Sequence, residues 1–158
     1  MNHATILHDD FFGDVRFDEA RRTCDAITEL SPGQQIEVSI DATGIEPAEA
    51  LQKSRHIYIA VAHRAQDYGR SIASKLLPLY NRSWRDGDPL DAPAFVQRIS
   101  LQSISIAPFE LGKQGCATLY YNDGGLFAGH LIEVFLDANL LSATPNSPAD
   151  HASRTCPP

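Results

Sequence analysis

Leu51, Tyr58, Ala65, Ile72 and Leu79 recur every seven residues, and Val61, Ala62, Tyr68 and Leu76 fill the same stripe. This is the apolar side of an amphipathic helix running from about residue 47 to 80. Pro47 followed by Glu49 marks its start, because proline suits the first turn and an acid there complements the helix dipole. A straight helix of that length would span roughly 50 Å, too long for one small domain. The spacing therefore predicts a break or bend near Asp67–Gly69, where glycine lowers helix propensity.

Segments of a different period lie on either side. Val15 and Phe17 alternate with polar residues, Asp18–Arg21 turns the chain, and Thr23–Leu30 returns as a weaker strand, giving a hairpin over Asp14–Glu29. Ser31-Pro32-Gly33 is a turn. From Gln35 to Asp41, Ile36, Val38 and Ile40 take one face and Glu37, Ser39 and Asp41 the other, the mark of a strand with one wet face. After the helix, Asn81–Pro89 reads as a loop. Asp91 then caps a second helix with Pro93 in its first turn and Phe95, Val96 and Ile99 on its buried side. Strands are expected over Leu101–Ala107, Cys116–Asn122 and His130–Ala138, with linkers short enough for antiparallel hairpins. The predicted class is α+β: a mostly antiparallel sheet of about six strands, with the long, broken or bent helix on one face. A single domain covers 1–143. Residues 144–158, rich in proline, read as a flexible, dispensable tail.

Charge narrows the function. The 158 residues carry a net −7, with −8 in residues 1–50, +4 in 51–100 and −3 in 101–158. An acidic chain repels phosphate backbones, which argues against nucleic-acid binding. It is suited to steer a basic partner. No apolar run approaches the ~18 residues of a membrane span, and no secretory signal is visible at the start. Three separated cysteines (Cys24, Cys116, Cys156) fit neither a disulfide framework nor a zinc site, and point to a reducing cytoplasm. Cys24 and Cys116 read as core residues, Cys156 as an exposed thiol. His56 and His63 lie two helical turns apart, too far to share a metal. No metal and no cofactor is expected.

Four stretches carry a resemblance. They are the Phe12-Gly13 hairpin entry, Leu76–Trp84 with its L-Y-N-x-x-W pattern, Phe95-Val96-Gln97-Arg98-Ile99, and Tyr120–Val134 with D-x-x-L-F-x-G-H-x-I-x-V. Together, over about residues 10–143, they resemble a bacterial domain-of-unknown-function family similar to candidate immunity proteins, which neutralise toxins of interbacterial competition. An aromatic often precedes the glycine in that family, where this chain has Ala128. The resemblance implies a non-catalytic protein that binds a cognate toxin, for which a basic nuclease domain would be the fitting partner.

The residues leave alternatives open. His130 shares strand parity with Ile132 and Val134, so it is expected at the rim of the core, mostly buried, with Asp123 within reach to fix its tautomer. That pair reads as a structural latch or as the centre of a small hydrolase. Leu126 and Phe127 are expected to fold back as a plug beside Gly129. Asn81 suits a helix end, and Trp84 a core-edge anchor or an interface hot spot. For partner binding the candidates are Asp14, Asp18, Glu29, Glu37 and Asp41, opposite in parity to the core. A homodimeric structural or regulatory domain is the remaining alternative.

Overall fold

The computed structural model describes residues 4–110, 113–137 and 143–145, with side chains at 4–108 and 117–137. Four strands come first: β1 (Ala4–Asp9), β2 (Gly13–Asp18), β3 (Thr23–Ser31) and β4 (Gln34–Asp41). The helical segment follows as α1 (Pro47–His63), α2 (Ala65–Leu79), a π-helical turn (Tyr80–Trp84) and α3 (Ala92–Arg98). The chain returns to the sheet as β5 (Ser100–Glu110), β6 (Lys113–Asn122), β7 (Ile132–Leu136) and a three-residue β8 (Ala143–Pro145).

The strands form one sheet in chain order, β1 to β8. Every neighbouring pair is antiparallel except β4 and β5, which run parallel. A parallel pair needs a long crossover, and the three helices supply it. The fold is thus α+β and mostly antiparallel, with seven strands of five residues or more and the short eighth, rather than about six. β1 is the strand missing from the sequence reading. At the other end, Ala143–Pro145 carries pairing into what was expected as tail. Residues 146–158 and the side chains of Cys116 and Cys156 lie outside the described residues.

Cross-strand register keeps one face apolar. Phe17 faces Cys24, Cys24 faces Ile40, Val38 faces Ile104, Ile104 faces Leu119 and Leu119 faces Val134, all of them buried. α1 lies against β3, β4, β5 and β6, and α2 against α3. Leu51, Ile57, Tyr58 and Val61 of α1 and Tyr68, Ile72 and Leu76 of α2 join the same core. Cys24 is part of it, and burial pushes its thiol up to about 11, so it stays protonated.

The helix breaks earlier than the glycine suggested. Arg64 leaves the helical region (φ −110°, ψ 8°), its N–H closes on the Val61 carbonyl at 3.1 Å, and its own carbonyl opens α2 by accepting from Tyr68 N–H at 3.1 Å. Gly69 sits inside α2, where a methyl group would stand 3.5 Å from Val96 of α3. That is ordinary van der Waals contact, so the helix runs through Gly69 without a break and the packing does not demand glycine there. Thr28 Oγ1 of β3 and Tyr58 OH of α1 are 2.8 Å apart, and Arg22 of the β2–β3 turn donates to the carbonyls of Ile45 (2.6 Å) and Ala42 (3.3 Å) in the loop before α1. Asp9 accepts the N–H groups of Phe11 and Phe12 and an Arg55 N–H at 2.7 Å. Burial alone would raise its carboxyl, but these donors outweigh burial and hold it below the usual range.

Candidate functional site

Two regions collect the candidate residues: a corner built from aromatic rings, and the sheet face away from the helices. At the corner, α2 runs through Pro78 into the π turn, where Arg85 N–H reaches back to the Tyr80 carbonyl at 3.0 Å. The expected loop over Asn81–Pro89 is therefore helical up to Trp84. Asn81 does more than end a helix. Its amide nitrogen donates to the Leu90 carbonyl and its oxygen accepts from Leu90 N–H, both at 2.9 Å, closing the 81–90 loop as a paired strand would.

Trp84 is delivered edge-on to Phe127 (5.6 Å between centroids) and His130 (6.3 Å). Phe127 is fully buried and meets Tyr80 at 5.9 Å and Phe95 at 6.3 Å in the same edge geometry. The three C-terminal stretches that carry the resemblance thus converge on one aromatic cluster, with Leu126 and Phe127 as its plug. Asp123 shapes the loop that makes this possible. Its carboxylate accepts the N–H groups of Gly125 (2.9 Å), Phe127 (2.7 Å) and Gly129 (3.0 Å). Burial would raise this carboxyl, yet those N–H groups prevail and hold it below the ordinary value. Gly124 has φ +58° and crosses α3 so closely that a Cβ would collide with the Arg98 carbonyl.

The expectation for His130 is overturned. Ala128 (φ 57°) and Gly129 (φ 84°) turn the chain, His130 N–H bonds to the Phe127 carbonyl at 3.2 Å, and β7 begins only at Ile132. Strand parity therefore does not reach His130, which is exposed beside Trp84. Asp123 is buried and occupied by backbone donors, so no Asp123–His130 hydrogen bond forms. The acid/base pair imagined for a hydrolase is not assembled. Trp84, 37% exposed, is both an anchor on Phe127 and a surface group.

On the other face of the sheet no described element covers the strands. Asp14, Glu29, Glu37 and Asp41 are exposed, as their parity requires. Asp18 is not: it is 7% exposed and accepts Arg21 N–H at 3.0 Å, so it caps the β2–β3 turn and cannot meet a partner as expected. Glu29 accepts Gly33 N–H at 2.6 Å and Asp41 accepts Thr43 N–H at 2.8 Å, which leaves both carboxylates at turns on the rim. The centre was missed in the sequence. Asp25, Ser39, Ser103, Ser105 and Tyr120 line a shallow concavity of about 860 Å³ with Arg16 and the exposed apolar residues Ile6 and Ile27. Ser39 donates to Asp25 at 2.7 Å across the strands. The signal was present in Ser103 and Ser105, which alternate with the buried Ile104 and Ile106. Hydroxyls, acids and scattered aliphatics on a broad, shallow surface suit contact with another macromolecule.

No group of three histidine, cysteine or acidic residues that could hold a metal occurs among the described residues, and no described helix is long and apolar enough to cross a membrane. No curated protein and no solved structure matches the chain. A family model described as an uncharacterized protein conserved in bacteria, DUF2262, matches residues 9–143. That span takes in β2 to β7, all the helices and every residue of the aromatic corner, and the chain belongs to this bacterial family.

Proposed function

We propose that this chain is a non-catalytic protein-binding domain of the immunity type, which binds a cognate bacterial toxin in the cytoplasm and blocks it. The observation that carries the reading is the uncovered sheet face. It offers exposed Ile6 and Ile27 among Asp14, Asp25, Glu29, Glu37 and Asp41, with Arg16 and Arg21 as the bases beside them. Apolar anchors inside a charged surround are what a specific protein interface needs. The sign of the charge favours a basic partner, such as a nuclease domain that must itself hold phosphates. Toxin specificity would then arise both from attraction and from mismatched charges that reject other partners.

The test is affinity capture by the tagged chain from its native bacterium, followed by association kinetics with the captured protein at two ionic strengths. A stoichiometric basic partner whose toxicity is relieved by co-expression is expected. Glu37→Lys combined with Asp41→Lys should slow association and flatten its salt dependence while the fold stays intact, since rim charges act mainly on the on-rate. An unchanged on-rate removes the acidic face from the interface. Failure to protect cells from any captured protein removes the immunity reading.

A further inference from the structure

We infer that the outer edge of β1 is a docking strand, and that its occupant is an extended basic segment of the partner protein added to the sheet. This rests on the protein-binding reading above and names where and how the partner is held. β1 closes one end of the sheet, so among the described residues no strand lies beside one row of its backbone N–H and C=O groups. Sheet proteins normally blunt such an edge with proline, lysine, a bulge or brevity. β1 carries no proline, lysine or bulge, and its inward charge, Asp9, stands at its last position and is taken up by Arg55. Ala4 to Asp9 pairs with β2 through six consecutive positions without a shift of register, and the irregularities of the sheet fall elsewhere, between Glu29 and Ser31 and between Leu101 and Ser103. Ile6, at its middle, leaves 55% of its surface in water. An edge in unbroken register with an exposed aliphatic at its centre is a surface that strand addition can use.

Charge selects the occupant. Asp10 and Asp14 stand at one end of this ribbon and Glu19 at the other, all exposed, with Asp14 Oδ1 2.6 Å from His8 Nδ1 of β1, while Arg16, opposite Ile6, is the basic residue of β2. A second copy of the chain would bring two such acidic ribbons side by side, which like charges oppose. A strand alternating basic and apolar residues meets complementary charge and covers Ile6. Its addition would also widen the uncovered face by one strand, so the edge and that face become one interface.

The probe is a synthetic peptide alternating lysine and valine, added to the isotope-labelled full chain at low salt. Amide exchange and chemical shifts are followed by NMR. The β1 amides that point away from β2 should gain protection. A glutamate–valine peptide, and a lysine–valine peptide N-methylated at alternate residues, should bind at least about tenfold more weakly, because each loses either the charge match or the edge hydrogen bonds. Ile6→Lys should weaken binding similarly with an unchanged unfolding midpoint, as expected of an exposed residue. Several results overturn the inference: binding that survives N-methylation, shifts confined to the face around Ser39 and Ser105, or no binding at millimolar peptide. A dimeric chain whose β1 amides are already protected assigns the edge to a second copy and equally overturns it. Failure of toxin capture with β1 binding intact strikes the immunity reading alone. Toxin protection that persists in Ile6→Lys with an unchanged on-rate strikes the edge alone.

Discussion

Replacing Asp123 with alanine should cost about 2–5 kcal/mol of folding stability. Three N–H groups lose a charged acceptor, but not equally. Phe127 N–H is buried, at 2.7 Å, and has no access to water once the carboxylate is gone. Leaving such a donor unsatisfied costs about 1–3 kcal/mol. Gly125 and Gly129 are exposed residues whose N–H groups can recruit solvent, so each adds only about 0.5–1 kcal/mol. The loss is a large share of the roughly 5–15 kcal/mol that a domain has in total. At about 2–4 °C per kcal/mol for a chain this long, the midpoint should fall by about 4–20 °C. Asp123→Asn keeps one oxygen but turns an NH₂ toward a backbone donor, and should lose about half as much. Urea denaturation followed by circular dichroism gives the stability, and Trp84 fluorescence reports the corner. The carboxyl is held low in the fold, so its contribution is complete above the unfolded value of about 3.9 and is lost as pH falls through the lower folded value. The gap between wild type and variant should therefore be constant above about pH 5 and narrow below pH 4. A loss under about 0.5 kcal/mol at pH 7 would refute the assignment of Asp123 as the organiser of this loop.

Gly124→Ala combines a positive φ with a Cβ driven into the Arg98 carbonyl, and should destabilise by about 2–4 kcal/mol in the same denaturation assay, more than Gly125→Ala, which meets no atom. Asn81→Ala removes both bonds to Leu90 and should cost about 1–2 kcal/mol, with faster amide exchange across 81–90 as the local readout. His130→Ala should change stability by less than about 0.5 kcal/mol, because the ring is exposed, while Trp84 fluorescence shifts with loss of its neighbour. A loss above 1 kcal/mol would mean that His130 holds more than an aromatic edge.

Elements that repeat a period were legible in the sequence. The β4 alternation of Ile36, Val38 and Ile40, the helical stripe through Leu51, Tyr58 and Ile72, and the Asp91 cap, which accepts Ala94 N–H at 2.9 Å, all stand where local pattern puts them. The misreadings have separate physical causes. β1 was overlooked because an edge strand buries little, so its burial pattern is nearly all exposed and its alternation weak. The helix break is expected near Asp67–Gly69 on glycine propensity, but one glycine costs a helix only about 1 kcal/mol; α2 runs through Gly69 and the break falls at Arg64. His130 was placed by extending strand parity across a glycine-rich segment, and two positive-φ residues, Ala128 and Gly129, cancel parity. Asp18 shared the parity of the wet face but was withdrawn by the turn it caps. The convergence of Trp84, Phe95 and Phe127 could not be read from one sequence, because it depends on how far each loop folds back.

That convergence bears on where function can reside. Asp123 is occupied by three backbone donors, Asn81 by Leu90, Gly124 by the Arg98 carbonyl and Phe127 by three rings. Each of these residues answers a local demand of the chain: a sharp turn, a loop closure, a plugged core. A residue type so constrained by its own fold has little freedom left to recognise a partner. The uncovered face is the reverse case. Ser103, Ser105 and Glu37 project from strands whose other side is already satisfied by Ile104, Ile106 and Val38, so their identity is free of the core. If the proposed toxin-binding reading holds, partner specificity would be carried where the fold leaves side chains free. The aromatic corner is thus fixed by the demands of the fold, while the open sheet face is the part of the described surface whose side chains the core leaves free.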